Sequence, residues 1–270
     1  MKEQTKDPVV AGEIVDQSTM EGGYFADFDF SKLEISLEEM FKNGVHFGHH
    51  KSRKNPKADE YVFGTRNGIN IIDLQKTAER LKEAISFIEK VVSSGQEILF
   101  VGTKKQVKGI IESAAKSSGM LFVNERWLGG TFSNFSVISE RTKYLREGEE
   151  KMAKGEYSKY TKFEQMKIAE ELARLEKRMG GIKHMTKLPG AIFVAGVIED
   201  NLAVKEAQAK NIPVIALVDS NVNPNGIDYP IPANDDAVSS LRLITAYIVK
   251  AIKDAQEKSK VAVKSEAKSK

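Results

Sequence analysis

The sequence predicts an α/β fold: a doubly wound parallel sheet interrupted by an inserted, coiled-coil-like two-helix hairpin. Three observations carry this prediction. Short runs of apolar, largely β-branched residues recur with helical stretches between them, the pattern of strands buried on both faces by crossover helices. A charged segment between two such units places its apolar residues at three- and four-residue steps, the spacing of paired helices. The 270 residues are 41% hydrophobic, enough apolar side chain to bury a real core.

Taken in chain order, residues 1–34 hold three Lys/Arg against eight Asp/Glu and no apolar run, and read as a flexible acidic extension. Tyr24, Phe25, Phe28 and Phe30 are unusual for a linker and point to docking. Ser36 with Glu39 predicts a capping box for a helix whose apolar face is Leu37, Met40 and Phe41. Tyr61–Gly64 and Ile69–Asp73 flank Asn67-Gly68, a hairpin signal. Gln75–Ser93 is amphipathic, with Leu81, Ala84, Ile85 and Ile88 on one face, and Gly95 closes it. Glu97–Val101 is a compact strand, Lys104–Ser117 a helix and Leu121–Val123 a short strand. The pattern resumes with strand Ala191–Val197, helix Asn201–Lys210, strand Pro213–Val218 and a long last helix, Asp236–Glu257. Because crossovers between parallel strands are right-handed, a flavodoxin-like sheet is the default arrangement.

Residues 135–179 contain eleven Lys/Arg, nine Asp/Glu and no Pro. Their apolar positions include Val137, Ile138, Leu145 and Met152, then Phe163, Met166, Leu172 and Met179, split around Lys154–Ser158. The expected organisation is therefore an extension (1–34), a sheet domain from 35–134 and 180–257, the hairpin (135–179) and a disordered Lys-rich tail (258–270).

Composition excludes some function classes. With no cysteine, disulfide frameworks, thiolate metal sites and cysteine nucleophiles are ruled out, which fits a cytosolic protein. No stretch approaches the roughly 20 apolar residues of a membrane span, and the N-terminus lacks a secretory pattern. The net charge is +3, but it is unevenly placed: a basic body follows the acidic leader, a hint of a polyanionic partner set against the solvated surface many proteins carry.

A sheet of this class binds ligands beyond the C-terminal ends of its strands. Gly102-Thr103-Lys104-Lys105 follows one strand and superficially resembles a phosphate loop, yet the Gly-x4-Gly-Lys-Ser/Thr spacing and Gly-x-Gly-x-x-Gly are both absent. Asp219–Gly226 follows another strand without a neighbouring histidine in the sequence to make a nucleophile–base set. His46, His49 and His50 cluster, but glycines interrupt any helix there and no acidic ligand is near in sequence, so no metal is assigned. Residues 42–66 are richer in signal: Lys42, Lys51, Arg53, Lys54, Lys57 and Arg66 face only Asp59 and Glu60. Gly48 and Pro56 keep that backbone irregular, which lets cations reach phosphates. Trp127, the only tryptophan, reads first as a core or docking anchor and second as a base-stacking platform.

These segments also carry a resemblance. Leu37-Glu38-Glu39-Met40-Phe41-Lys42-Asn43-Gly44-Val45-His46-Phe47-Gly48-His49 resembles the N-terminal signature of bacterial small-subunit ribosomal protein S-two. So do Asn55-Pro56-Lys57, Phe63-Gly64-Thr65-Arg66-Asn67-Gly68, Val101-Gly102-Thr103-Lys104, Asn124-Glu125-Arg126-Trp127-Leu128-Gly129-Gly130, Gly180-Gly181-Ile182-Lys183, Leu188-Pro189-Gly190, Ile212-Pro213-Val214 and Ile231-Pro232-Ala233-Asn234-Asp235-Asp236-Ala237. The matches fall in order along the chain. The resemblance implies a flavodoxin-like sheet with an inserted hairpin and a place at the head–body junction of the small ribosomal subunit, against ribosomal RNA. It also implies help in recruiting ribosomal protein S-one. Lys54 stands where the family often has an aromatic residue. Ala195–Asn201 replaces an acidic, His-containing stretch, so an ion site suggested for relatives there is not carried over.

The expected function is thus a structural constituent of the small subunit in translation, cytoplasmic and ribosome-bound, with no catalysis and no cofactor. Expected partners are small-subunit ribosomal RNA and neighbouring small-subunit proteins, with no membrane contact and no homo-oligomer. The RNA-contacting candidates are Lys42, His49, Lys51, Arg53, Lys54, Lys57, Arg66, Lys104, Lys105 and Arg126. Two rival readings make different demands. A nucleotide-binding module would need a ligand at Gly102-Thr103 and Asp219–Asn223, and a free coiled-coil adaptor would work off the ribosome.

Overall fold

The computed structural model describes residues 24, 25, 29, 30 and 33–268, with side chains as far as residue 259. A short helix α1 (Leu37–Lys42) leads into strand β1 (Phe47–His50), and β2 (Val62–Arg66) and β3 (Ile69–Ile72) follow. These form a separate antiparallel sheet in the order β1-β3-β2. The Asn67-Gly68 turn is as expected: φ is +51° at Asn67 and +78° at Gly68, the left-handed pair of a type I′ hairpin. The capping box is not formed, since the Ser36 side chain makes no cap hydrogen bond. β1 itself was unexpected, because two Gly-flanked histidines carry no strand signal and its pairing to β3 is long-range.

The main sheet is built from β4 (Ile98–Val101), β5 (Leu121–Val123), β6 (Ala191–Val194), β7 (Val214–Val218) and β8 (Tyr229–Pro232). All four pairings are parallel, in the order β5-β4-β6-β7-β8. Chain order second-first-third-fourth-fifth is the flavodoxin-like arrangement, with its switch point between β4 and β6. Alternation explains the two cores. Ile98, Phe100, Phe193, Ile215 and Leu217 pack into one apolar cluster, while Leu99, Val101, Ile192, Val194 and Ala216 pack into the other. Side chains of period two thus face both layers. β8 was not among the strands expected from the sequence, and its Pro230 and Pro232 weaken any strand signal there. Proline is tolerated there since β8 is the edge strand.

Helices α2 (Leu74–Ser93) and α3 (Lys108–Ser118) cover one face together with α7 (Val238–Lys268). Asp73 caps α2, accepting from the Gln75 amide at 3.0 Å. On the other side α6 (Asn201–Ala209) joins the Trp127 loop and Ile182. The final helix starts two residues later than expected and runs on to Lys268, through residues expected to be disordered. That segment has no glycine or proline and is rich in Ala and Lys, which favour helix. Residues 269 and 270 lie outside the described residues. At the N-terminus Phe25 and Leu33 are buried in the core, and the Tyr24 amide donates to Ser113 Oγ at 3.2 Å. Phe28 lies outside the described residues.

Between β5 and β6 come α4 (Phe135–Ala153) and α5 (Lys162–Met179). They touch where Gly148 leaves room for Leu172: a Cβ at Gly148 would sit 2.5 Å from Leu172 Cδ2. Leu145 is fully buried nearby. Thr161 and Glu164 form a capping box at the start of α5.

Candidate nucleic-acid interface

The small sheet is fastened to the C-terminal edge of the main sheet by polar groups at the end of β7. Gly48 brings the β1 backbone against Ser220, and a Cβ there would meet Ser220 Oγ at 2.7 Å and the Asn70 carbonyl at 3.1 Å. That close approach is why glycine stands at this position. The His49 amide donates to Ser220 Oγ at 2.8 Å, and the Asn55 amide donates to the Ser220 carbonyl at 2.8 Å. Asn70, fully buried, donates from Nδ2 to the His49 carbonyl at 3.0 Å and accepts from Thr65 Oγ1 at 3.0 Å. Asn234 works from the opposite side. Its Nδ2 donates to the Gly44 carbonyl at 3.2 Å, while its Oδ1 accepts from the amides of Asp236 and Ala237 where α7 begins.

The His49 ring lies between two acids, with Nδ1 3.0 Å from the buried Asp219 and Nε2 3.3 Å from Asp236. The hydrogen bond to Asp219 raises the His49 pKa above its ordinary 6.5, with burial opposing and the charges of Asp219, Asp235 and Asp236 adding to the rise. The sequence shows no histidine near Asp219 to pair with it. The partner is distant in sequence and adjacent in space. It still makes no nucleophile–base set, because both ring nitrogens face carboxylates and neither faces the Ser220 hydroxyl. Lys104 completes the cluster at 2.9 Å from Asp235 and 2.9 Å from Asp236. Burial pushes the Asp235 carboxyl up to about 6 even against the nearby Lys104 charge.

His49, Asp219 and Asp235 each offer a ligand atom within 4.8 Å of the others, so these three are the residues that could hold a cation. The sequence reading assigned none because the acids come from the far end of the chain. In the phosphate-loop-like segment, the Thr103 amide donates to Asp200 Oδ2 at 3.1 Å, and Gly102 admits Val107, which a Cβ would meet at 2.2 Å. The ligand edge of the sheet is therefore lined by Asp200, Asp219, Asp235 and Asp236. These carboxylates, most of them already engaged with His49 and Lys104, disfavour a bare phosphate here.

The candidate cations divide into two groups. Lys42, Lys51, Arg53, Lys57, Arg66, Lys105 and Arg126 are exposed, with nothing to prevent their reaching an anion. Lys54 is paired with Asp59 at 2.6 Å, and His49 and Lys104 are spent within the acid cluster. Those three serve the fold first. The outward face of the small sheet carries Phe47, Ile69 and Ile71, since Phe47 pairs with Ile71, while Asn70 and Ile72 point inward and are buried. Phe63 is 80% exposed on the neighbouring bulge. His46 is buried and stacked on Phe41, with centroids 4.3 Å apart at 8°, a structural role. Sequence reasoning missed these outward aromatics because it weighed the segment for charge alone.

Trp127 is buried and meets Phe132 edge-on at 5.0 Å, so the core reading holds over base stacking. Its loop is held by Glu206, which accepts from the amides of Gly130 at 2.7 Å and Phe132 at 2.9 Å. Burial raises the Glu206 pKa, but these amides outweigh it and hold the carboxyl below its ordinary range.

The fold and its edge define an α/β scaffold whose strand ends are lined by its own acids and flanked by a basic small sheet. The chain matches the family model described as Ribosomal protein S2 over residues 40–255. It is 45% identical over 226 residues to small ribosomal subunit protein uS2 of Dehalococcoides mccartyi (strain ATCC BAA-2100 / JCM 16839 / KCTC 5957 / BAV1), covering 84% of this chain and 92% of that one. It is 47% identical over 224 residues to the uS2 of Roseiflexus sp. (strain RS-1), covering 83% and 86%. The uS2 of Roseiflexus castenholzii is 49% identical over 217 residues, covering 80% and 82%. The chain belongs to the ribosomal protein S2 family. Its relatives are ribosomal structural proteins, not enzymes, as the sequence led us to expect.

Proposed function

We propose that the chain is a structural constituent of the small ribosomal subunit, acting in translation in the cytoplasm as one copy among neighbouring small-subunit proteins. In this reading it contacts ribosomal RNA at the head–body junction and helps recruit ribosomal protein S-one. The observation that carries the RNA contact is a group of exposed cations: Lys42, Lys51, Arg53, Lys57 and Arg66 lie on and beside the small sheet and are in no ion pair among the described residues, while the sheet's inward face is locked to the main sheet. Phosphates would be met by cations carried on α1 (Lys42), on two short 3-10 turns between β1 and β2 (Lys51, Arg53 and Lys57) and at the end of β2 (Arg66). Lys105 and Arg126 extend the array along the β4 and β5 ends. The helices α4 and α5 form, in this reading, a hairpin arm inserted into the sheet domain.

Because phosphate contacts release counterions, binding to small-subunit RNA should weaken steeply with salt. Five or more contacts predict a log–log slope of about −3.5 or steeper, measured by filter binding from low to moderate salt. A flat response would contradict the contact model.

A further inference from the structure

The turn that joins α4 to α5 brings together aromatic rings and cations that the packing of the two helices does not use. Met152, Tyr160, Phe163 and Met166 are 43%, 42%, 59% and 51% exposed, far more than a helix pair needs at its end. Met152 and Met166 border a groove of about 490 Å³, lined also by Tyr157 and Lys162, and Tyr160 and Phe163 stand exposed beside its lining residues in the sequence. Tyr157 and Tyr160 sit with centroids 5.9 Å apart at 56°. Lys159 lies 5.7 Å from the centre of the Tyr160 ring, and Lys167 lies 4.6 Å from the centre of Phe163.

The charges around these rings are mainly positive. Lys151, Lys154, Lys159, Lys162 and Lys167 are all exposed, and none is in an ion pair among the described residues. Between residues 151 and 167 the only acids are Glu156 and Glu164. Glu164 is engaged, since its Oε2 accepts from the Thr161 amide and from Thr161 Oγ1, each at 2.9 Å. The geometry is fixed locally: Gly155, at φ +68°, ends α4 in the left-handed region, and the Thr161–Glu164 box starts α5. The rings are therefore presented by a defined turn.

We propose that this turn is a second RNA-contacting surface, taking unpaired bases of a single-stranded loop or bulge on Tyr160 and Phe163 and their phosphates on the flanking lysines. The proposal rests on the reading of the chain as a ribosome component. A polyanion fits better than an apolar protein face because five ammonium groups, set against only two carboxylates, would have to be desolvated there. Unpaired nucleotides fit better than a duplex because only a splayed base offers its flat face to an aromatic ring. Lysines already stacked over two of the rings would keep their charge beside the bound base.

The test uses the full-length chain in two arms. With Phe163→p-benzoylphenylalanine, irradiation of reconstituted small subunits should give a covalent adduct that ribonuclease removes. An adduct removed only by protease would assign the turn to a protein partner and overturn the proposal. In the second arm, Tyr160→Ala combined with Phe163→Ala should weaken binding to deproteinised small-subunit RNA about 10-fold to 100-fold with an unchanged salt slope. Lys159→Gln combined with Lys162→Gln should flatten that slope by about 1.5. All four positions are solvent-exposed, so folding is not at stake. If wild-type chain binds that RNA with a steep salt slope while neither pair of substitutions matters, the turn proposal fails and the ribosomal reading stands. If wild-type chain does not bind the RNA at all, both fail together.

Discussion

His49→Gln lowers the unfolding free energy by about 2–4 kcal/mol in mildly acidic solution, and it removes most of the pH dependence above the ordinary histidine pKa. The cost arises because Asp219 is 1% exposed and Asp235 fully buried, and removing a cation from such a group leaves charge uncompensated in a poorly solvated site. The sign follows from linkage. The folded His49 pKa lies above 6.5, so its stabilisation is fully present below 6.5 and disappears as pH rises through the higher folded value. Asp235 adds a slope of the same sign at lower pH. Its carboxyl moves from 3.8 to about 6 on folding, so the folded state holds the proton more tightly and stability declines as pH rises across that window. Glu206 acts oppositely, since its carboxyl is held below the ordinary 4.5, and its contribution is lost as pH falls beneath that value. Stability should therefore decline as pH rises from weakly acidic values and on through the raised His49 pKa, by more in the wild type than in His49→Gln. Urea unfolding across pH, with chelator present, measures it. Parallel profiles for the two proteins would show that His49 is not a charged clamp.

Replacing Lys51, Arg53, Lys57 and Arg66 together by glutamine leaves the fold intact but flattens the salt dependence of RNA binding by about three units of log–log slope. Near 0.1 M salt this corresponds to an affinity loss on the order of a thousandfold. These side chains are exposed, and exposed substitutions change stability by no more than about 0.5 kcal/mol. Lys104→Gln should behave in the opposite way. Its ammonium is 2.9 Å from the buried Asp235, so losing it destabilises the fold by about 2–4 kcal/mol and leaves the slope nearly untouched. Thermal unfolding and filter binding on the same two variants separate a phosphate-contacting cation from an internal one. If both variants moved slope and stability alike, the division of the candidate cations would be wrong.

Much of the main sheet was legible because its strands are local and uniform: Ile98–Val101 and Val214–Val218 are unbroken apolar runs, and each is fully buried. The Asn67-Gly68 turn was legible for the same reason, since positive φ at both positions is a property of those two residues. What escaped was non-local. β1 exists because Gly48 can lie against Ser220, and nothing near residue 48 announces a partner so far along the chain. The acid cluster around His49 escaped likewise, because an in-sequence search for ligands cannot see Asp219 and Asp235 converge on β1. Charge alone placed Lys104 and Lys54 among free cations. Their carboxylate partners, one set of them distant, became visible only in the fold.

The most direct measurement of the central claim is sedimentation of the tagged full-length chain from gently lysed cells. At low salt it should travel with small subunits at close to one copy per subunit, and it should shift to the top of the gradient in high salt as phosphate contacts are screened. A chain that remains free at low salt, or that sediments as a separate homo-oligomer, would contradict the account.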